Sequence, residues 1–345
     1  LEKIIISTPD SISAIITGAK WEAVVKLLPE KGAAIITDNN VFDLYGADFP
    51  DFPVLKIKPG EQSKQLDVIG NLSKKLLDIG IDRTGFILAI GGGVVCDIAG
   101  FLASVYMRGI RCGFVSTSLL SQVDASTGGK NGVNIGDIKN VIGNFKQPEF
   151  VVCDATMLST LPEEEYSSGL AELIKTGIIG DRTIINVLEK NHTGIINRDK
   201  NILSDLVAKA VKFKAKIVSK DEKESGLRRI LNFGHTFGHA VELHAGVKHG
   251  FAVAWGMELA TTFSYKRGLI KKAECNKIID LLKKYNLSGN YNIPEKEIGE
   301  LILHDKKRSG RDINFVFVKG IGKAVVKKII VQEVIDFYRF YKSVK

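Results

Sequence analysis

Cysteine is scarce and scattered. Cys96, Cys112, Cys153 and Cys275 are the only four in 345 residues, and gaps of 16, 41 and 122 positions match neither a metal-binding pair nor a disulfide framework. Buried thiols in a reducing compartment are expected. No run approaches the roughly 18 to 20 apolar residues that a membrane-spanning helix needs, and no basic flank, apolar run and small-residue cleavage site stand at the start. A soluble, cytoplasmic protein with no membrane partner is therefore expected. The first residue is Leu1 rather than Met, which is expected to reflect trimming of a few residues. A helix-turn-helix with a basic recognition helix, a zinc finger and an aromatic-rich stacking strand are all lacking, which argues against a nucleic-acid partner. Fixed-period repeats and low-complexity linkers are lacking too. A chain of this length suggests two domains, and without a flexible hinge they should share an interface with a site between them.

Glycine, by contrast, is plentiful, with 34 residues clustered in short runs, while 45% apolar and 25% charged residues make an ordinary globular mixture. The formal charge of +9 is uneven: residues 1–150 carry 15 basic and 16 acidic side chains, so the remainder carries +10. Solvated lysines, an anionic small substrate and nucleic acid each remain open as its meaning. Apolar runs at 33–37, 54–57, 86–90 and 114–118 alternate with helical patterns, clearest over 65–79, where Leu66, Ile69, Leu72, Leu76 and Ile79 recur at three and four residues. That alternation predicts a Rossmann-like α/β domain with a parallel sheet over 1–160. Beyond it, long amphipathic helices with few strand signals before 313–318 predict a mostly helical domain over 161–345.

The stretch 86–97, FILAIGGGVVCD, reads as strand, glycine turn and helix. Such a turn lets backbone amides approach a pyrophosphate, although the third glycine of G-x-G-x-x-G falls on Cys96. Asp38-Asn39-Asn40 and Pro59-Gly60-Glu61 with Lys64 end two other strands and are candidates for ribose hydroxyls. A tight turn in any doubly wound sheet is the alternative.

Four of the six histidines fall within fifteen residues, and His235, His239 and His249 are the candidates among them. On a helix His235 and His239 share one face, the spacing of a divalent metal site. Thr236 occupies the place where a zinc peptidase needs glutamate, which argues against hydrolysis. Glu172 is the candidate carboxylate ligand, and Lys175, three residues on, shares its face in a largely apolar helix. Burial of both without a partner or metal is expensive, and a surface pair is the alternative. Lys214 interrupts the stripe Leu203, Val207, Ala210 and Ile217, so it points inward or snorkels out. Gly128-Gly129-Lys130 lacks the frame of a triphosphate loop. With Asp124, Lys139 and Asn140 it suggests a polar loop that handles an oxygen-rich molecule.

In GGGVVCDIAGFLASVYMRG (91–109), LLSQVDASTGGKNGVN (119–134), KNVIGNFKQP (139–148), LPEEEYSSGLAELIK (161–175), DEKESGLRRILNFGHTFGHAVE (221–242), HGFAVAWGM (249–257) and DKKRSG (305–310) the sequence resembles the 3-dehydroquinate synthase family. The resemblance implies a dehydroquinate synthase-like fold, bound NAD, a divalent zinc or cobalt ion and a homodimer. It implies a phosphorus–oxygen lyase that turns a phosphorylated keto sugar acid into 3-dehydroquinate. The route is transient oxidation by NAD, phosphate elimination, re-reduction, ring opening and aldol closure. Metal ligands are then Glu172, His235 and His249, which leaves His239 to transfer protons. NAD contacts fall on Asp38, Asn40, Glu61, Lys64, Gly92, Gly93, Asp97, Thr117, Ser118, Lys139 and Thr160. Substrate contacts fall on Asp124, Lys130, Asn140, Lys175, Lys214, Arg228, Asn232 and the pair Lys306 and Lys307, while Arg108 is expected to reach the other subunit's site.

Phe251 stands where the family usually has glutamate. Trp255 replaces a small aliphatic residue, Lys146 a common tyrosine and Asn131 a common threonine. Another sugar-phosphate cyclase, a metal-dependent polyol dehydrogenase and a basic nucleic-acid module are the rival readings.

Overall fold

The computed structural model describes residues 1–136, 138–304, 308–309 and 312–344, with backbone only at 303, 304, 308 and 309. In chain order its strands are β1 (Glu2–Ser7), β2 (Ile12–Thr17), β3 (Ala33–Asp38), β4 (Val54–Ile57), β5 (Phe86–Gly91), β6 (Arg111–Ser116), β7 (Lys130–Ile135), β8 (Ile138–Phe145), β9 (Phe150–Cys153), β10 (Arg308–Ser309), β11 (Asp312–Gly320) and β12 (Lys323–Ile330). Its helices are α1 (Asn39–Tyr45), α2 (Leu66–Asp78), α3 (Gly93–Val105), α4 (Glu163–Ile179), α5 (Arg182–Lys190), α6 (His192–Ile196), α7 (Lys200–Lys220), α8 (His235–Ala245), α9 (His249–Lys266), α10 (Lys272–Lys284), α11 (Glu295–His304) and α12 (Val331–Ser343).

Two compact units result, Leu1–Leu161 with Asn197–Lys223, and Pro162–Ile196 with Glu224–Lys345. A single cut between 160 and 161 does not describe this division, because α7 returns to the first unit. The reason is its apolar stripe: Leu203, Leu206, Val207, Ala210 and Val211 are all buried. Arg198, just before α7, donates to the carbonyls of Leu158 and Ser159 at 3.0 and 2.9 Å.

The first unit is built on a seven-stranded sheet in the order β1-β2-β9-β6-β5-β3-β4, parallel except where β1 pairs antiparallel with β2. Every residue of β5 is buried, as are Ala33, Ala34, Ile35 and Ile36 of β3, which is what strands covered on both faces require. Each Ile, Leu or Phe side chain among them contributes about 1.5–3 kcal/mol by leaving water. From β3 the chain steps outward to β4, then returns to lay β5 along the other side of β3. Strand order therefore reverses at the carboxyl ends of β3 and β5, where open α/β sheets offer a crevice.

The segment expected as a polar glycine loop is partly regular. A π-helical turn covers Ser121–Ala125, and β7 and β8 then pair as an antiparallel hairpin. Gly132 opposes Gly143 across it, and a Cβ on Gly143 would stand 2.5 Å from the Asn131 carbonyl oxygen. Glycines that read as loop signals are thus what let the two strands approach.

In the second unit α4 is buried almost continuously from Tyr166 to Ile179. A Cβ on Gly256 would stand 1.9 Å from the Gly234 carbonyl oxygen, so α9 lies against the start of α8 only because residue 256 is glycine. Phe237, Trp255, Phe263, Phe315 and Phe337 form an aromatic core, with Phe263 and Phe337 stacked at 4.3 Å between ring centres. Trp255 is therefore a core residue. Strands β10, β11 and β12 make a small antiparallel sheet. Among the described residues no helix is long and apolar enough to cross a membrane. All four cysteines are free and buried, and burial raises the pKa of each thiol.

Candidate active site

In the first unit the strand ends carry the expected polar groups. Asp38 ends β3 and caps α1, accepting the Val41 amide at 3.0 Å, and burial raises its carboxyl pKa. Asn40 is exposed in the first turn of α1. Gly92 is the N-cap of α3 and places no side chain on the first amides of that helix. Gly93 follows, and a Cβ there would come within 3.2 Å of Ala125. Cys96, where the third fingerprint glycine would fall, is a buried core residue. Thr117 and Ser118 stand just beyond β6, Thr117 buried and Ser118 half-buried. Thr160 shares a hydrogen bond with the Tyr45 hydroxyl at 2.6 Å.

Lys64 draws several of these residues together. Its ammonium, 4% exposed, donates to Asp97 at 2.7 Å and to the Asn140 side chain at 2.6 Å, and lies 3.6 Å from Glu61. Burial works against that cation, but Asp97 and Glu61 outweigh it and raise its pKa. Asn134, which sequence reasoning missed, completes the cluster by donating to Glu61 at 2.9 Å and accepting the Asn140 amide at 2.8 Å. Asn140 has φ +52°, a conformation asparagine tolerates better than most residues and one typical of functional turns.

Lys214 points inward. It forms an ion pair with Asp124 in the π-helical turn and donates to the Asp124 carbonyl at 2.6 Å. Asn131 is buried and braces the neighbouring backbone, donating to the carbonyls of Gly129 and Lys146, each at 2.9 Å. Lys130, Lys139 and Arg108 are exposed.

In the second unit Glu172 on α4, His235 opening α8 and His249 opening α9 place one ligand atom each within 4.8 Å of one another. Glycine sets this approach as well. The Gly250 amide donates to Ser168 Oγ at 3.0 Å, and a Cβ on Gly250 would lie 2.3 Å from the Ser168 Cα. His249 is thereby held against α4.

Glu172 is fully buried and forms an ion pair with Lys175, itself 2% exposed, yet neither carboxylate oxygen receives a well-aligned hydrogen bond among the described residues. Its Oε1 faces Nε2 of His249 at 3.5 Å and Nε2 of His235 at 3.9 Å. The other ring nitrogens are held from behind, Nδ1 of His235 by the Phe233 carbonyl and Nδ1 of His249 by Glu242, both at 3.1 Å. Two imidazoles fixed through Nδ1, with Nε2 turned to one carboxylate oxygen, make a ligand arrangement for a divalent ion. Ligand atoms about 2.1 Å from a tetrahedral ion stand about 3.4 Å apart, so these spacings need little adjustment. In the metal-free protein desolvation alone would lower the His249 pKa, but Glu172 and Glu242 raise it to about 9.

His239 lies beside the triad, its ring centre 5.2 Å from that of His235 and 6.3 Å from that of His249. It is outside the ligand group, so the one-turn spacing of His235 and His239 does not identify the pair that converges. Arg228 is 2% exposed, and Asn232 donates to Glu224. Phe251 is half-buried and supplies no carboxylate. Glu224 and Glu242 were missed from sequence, though Glu242 stands seven residues from His235 and three from His239 on one helix face. Lys306 and Lys307 lie outside the described residues.

The comparisons agree across most of the chain. Residues 54–168 match the family model for the 3-dehydroquinate synthase N-terminal region, and residues 169–308 match that for the C-terminal region. A 3-dehydroquinate synthase of Dictyoglomus thermophilum is 44% identical over 297 residues, covering 85% of this chain and 84% of its own. Among solved structures, a 2-epi-5-epi-valiolone synthase from Streptomyces hygroscopicus with NAD+ and Zn2+ bound aligns at a TM-score of 0.87 and 24% identity, covering 100% of this chain and 99% of its own. A 2-deoxy-scyllo-inosose synthase complexed with carbaglucose-6-phosphate, NAD+ and Co2+ aligns at 0.84 and 23% identity, covering 97% and 98%. These two structures share the fold.

Proposed function

The chain belongs to the 3-dehydroquinate synthase family, and from that premise we propose that it converts 3-deoxy-D-arabino-heptulosonate 7-phosphate to 3-dehydroquinate and phosphate. The observation that carries this reading is the buried group Glu172, His235 and His249 with Lys175 beside it. Zinc or cobalt would be held by Glu172 and the two Nε2 atoms, NAD by the strand ends of the first unit. When bound, the metal supplies a Lewis acid toward an alcohol oxygen and NAD supplies a transient hydride acceptor.

The fit of both groups is local. Neither buried oxygen of Glu172 receives a well-aligned hydrogen bond among the described residues, and Oε1 faces two imidazole Nε2 atoms, a setting that a cation suits. The uncapped amides at the start of α3 stand at the point of strand reversal and suit a pyrophosphate. Asp38, Asn40 and Glu61 suit ribose hydroxyls by their chemistry, and Lys64, kept charged by Asp97, steadies the hairpin through Asn140. Gly92, Gly93, Thr117, Ser118, Lys139 and Thr160 complete this set.

Lys175 offsets the buried charge of Glu172. Lys214 and Arg228 suit a carboxylate, Lys130 and Arg108 suit a phosphate, and Asp124, Asn140 and Asn232 orient hydroxyls by hydrogen bonds. His239 moves a proton to or from the substrate. We place the enzyme in the cytoplasm as a homodimer, with Arg108 reaching the partner copy's site.

The test is phosphate release from the heptulosonate phosphate with NAD and zinc, with and without a chelator. Release that the chelator abolishes is expected, with 3-dehydroquinate as product and no lasting NADH absorbance. No release, or release indifferent to the chelator, overturns the reading.

A further inference from the structure

The two histidines facing Glu172 are supported by different means. Nδ1 of His235 meets a backbone carbonyl, that of Phe233, which no side-chain substitution removes. Nδ1 of His249 meets a side chain, the Glu242 carboxylate, at 3.1 Å. Glu242 is one turn from the end of α8, and 12% of its side chain is exposed, whereas 32% of His249 is. The more open of the two rings is thus the one held by an anion. Phe251, two residues after His249, brings no carboxylate, and the carboxylates paired with His249 are Glu172 and Glu242.

We propose that Glu242 is a positioning residue for the metal centre, accepting the Nδ1 proton of His249 so that Nε2 presents its lone pair beside Glu172 Oε1. Two effects follow. The hydrogen bond selects the tautomer in which Nε2 is unprotonated, and it fixes a ring that α9 alone leaves part-exposed at a helix start. A carboxylate behind an imidazole also makes the ring a stronger donor, so Glu242 raises cation affinity without touching the cation. His235, backed by a neutral carbonyl, contributes the weaker donor of the two. Sequence places Glu242 on the histidine face of α8, but only the approach of α9 to α4 through Gly250 puts His249 within its reach. The inference rests on the metal-dependent reading above.

The experiment is titration of metal-stripped full-length protein with Co2+, followed by its visible absorption, with affinity taken from competition against a chelating dye. Glu242→Ala is expected to weaken Co2+ binding by about 10–100-fold and to alter the absorption band. Glu242→Gln, whose amide oxygen can still accept the Nδ1 proton, is expected to recover part of the affinity and the wild-type band. If wild-type protein takes up no Co2+, the metal reading itself falls. If wild type binds but Glu242→Ala binds equally with an unchanged band, Glu242 has no positioning role. Weakened binding with an unchanged band and no recovery in Glu242→Gln marks a merely structural residue and equally overturns the proposal. Should Glu242→Ala fail to fold, Glu242→Gln carries the test: the wild-type band with an affinity between those of wild type and Glu172→Ala sustains the proposal, and full wild-type affinity or a loss as deep as that of Glu172→Ala refutes it.

Discussion

In the first unit Asp38, Asn40, Gly92, Gly93, Thr117 and Ser118 stand at the carboxyl ends of β3, β5 and β6, each within two residues of the strand that holds it. In the second unit the group Glu172, His235 and His249 comes from three helices, with Glu172 separated from His235 by 63 positions. A strand end is placed by the sheet that hydrogen bonds impose, so its polar residues are aimed as soon as the strand forms. Three helices converge only if their backbones pack at a particular distance, which here depends on Gly250 and Gly256. Change in one residue of the first group is expected to leave its frame in place, whereas in the second the approach of the side chains depends on helix packing.

The largest effect that would sharpen this contrast is expected at Glu172. Glu172→Gln should lower phosphate release by roughly 1000-fold, since a Lewis acid contributes several kcal/mol to such a step. It should also destabilise the second unit by about 3–5 kcal/mol, because the buried Lys175 ammonium loses the Glu172 carboxylate. Adding Lys175→Met should restore the thermal midpoint but not Co2+ binding; restored binding would show that the carboxylate is no ligand.

Lys64→Met removes the cation that joins Asp97, Glu61 and Asn140. NAD affinity should fall about 10–100-fold, the value of one or two charge-assisted hydrogen bonds, while Co2+ affinity is retained. Equilibrium titration of each cofactor checks both, and loss of metal binding would break the separation drawn here.

Gly256→Ala drives a methyl group onto the Gly234 carbonyl. A loss of about 1–3 kcal/mol in stability and a weaker Co2+ site are expected, with NAD binding unchanged. Denaturant unfolding and metal titration read it, and a neutral result would mean that α8 and α9 separate freely. The smallest effect belongs to the thiols. Because burial raises their pKa values, a thiol reagent should label none in the native protein at mildly alkaline pH and all four in denaturant.

Much of the first unit was legible. The runs at 33–37, 54–57 and 86–90 became β3, β4 and β5 with at most one residue added at an end, because the buried strands β3 and β5 need continuous apolar residues and the edge strand β4 buries Leu55 and Ile57. The run at 114–118 was displaced: β6 starts at Arg111 and ends at Ser116, leaving Thr117 and Ser118 beyond the sheet. The β7–β8 hairpin was not legible. Its polar, glycine-rich sequence carries little period-2 signal, and the pairing is supplied by the opposed glycines and by Val133 buried beneath. The strands β1 and β2 were also missed, since an antiparallel edge pair is only half-buried.

In the second unit the buried pair Glu172 and Lys175 stood out from its apolar surroundings. His235 and His239 did suggest a metal site, but helical spacing records which side chains share a face and is silent about what faces them. The third member of the group, His249, is fourteen residues from His235 and enters only because α9 packs against α4.

The amino-acid order by itself determined the strand and helix alternation, the polar strand ends, the placing of Lys175 and Lys214 on otherwise apolar helix faces and the supply of histidines and carboxylates. These follow from local periodicity and from the cost of burying charge. Tertiary structure alone decided that α7 belongs with the first unit and that Glu242 stands behind His249, while the turn of His249 rather than His239 toward Glu172 was implied by the family resemblance and not by helical spacing. Those are matters of backbone approach between distant segments, set where glycines remove the Cβ atoms that would keep the helices apart.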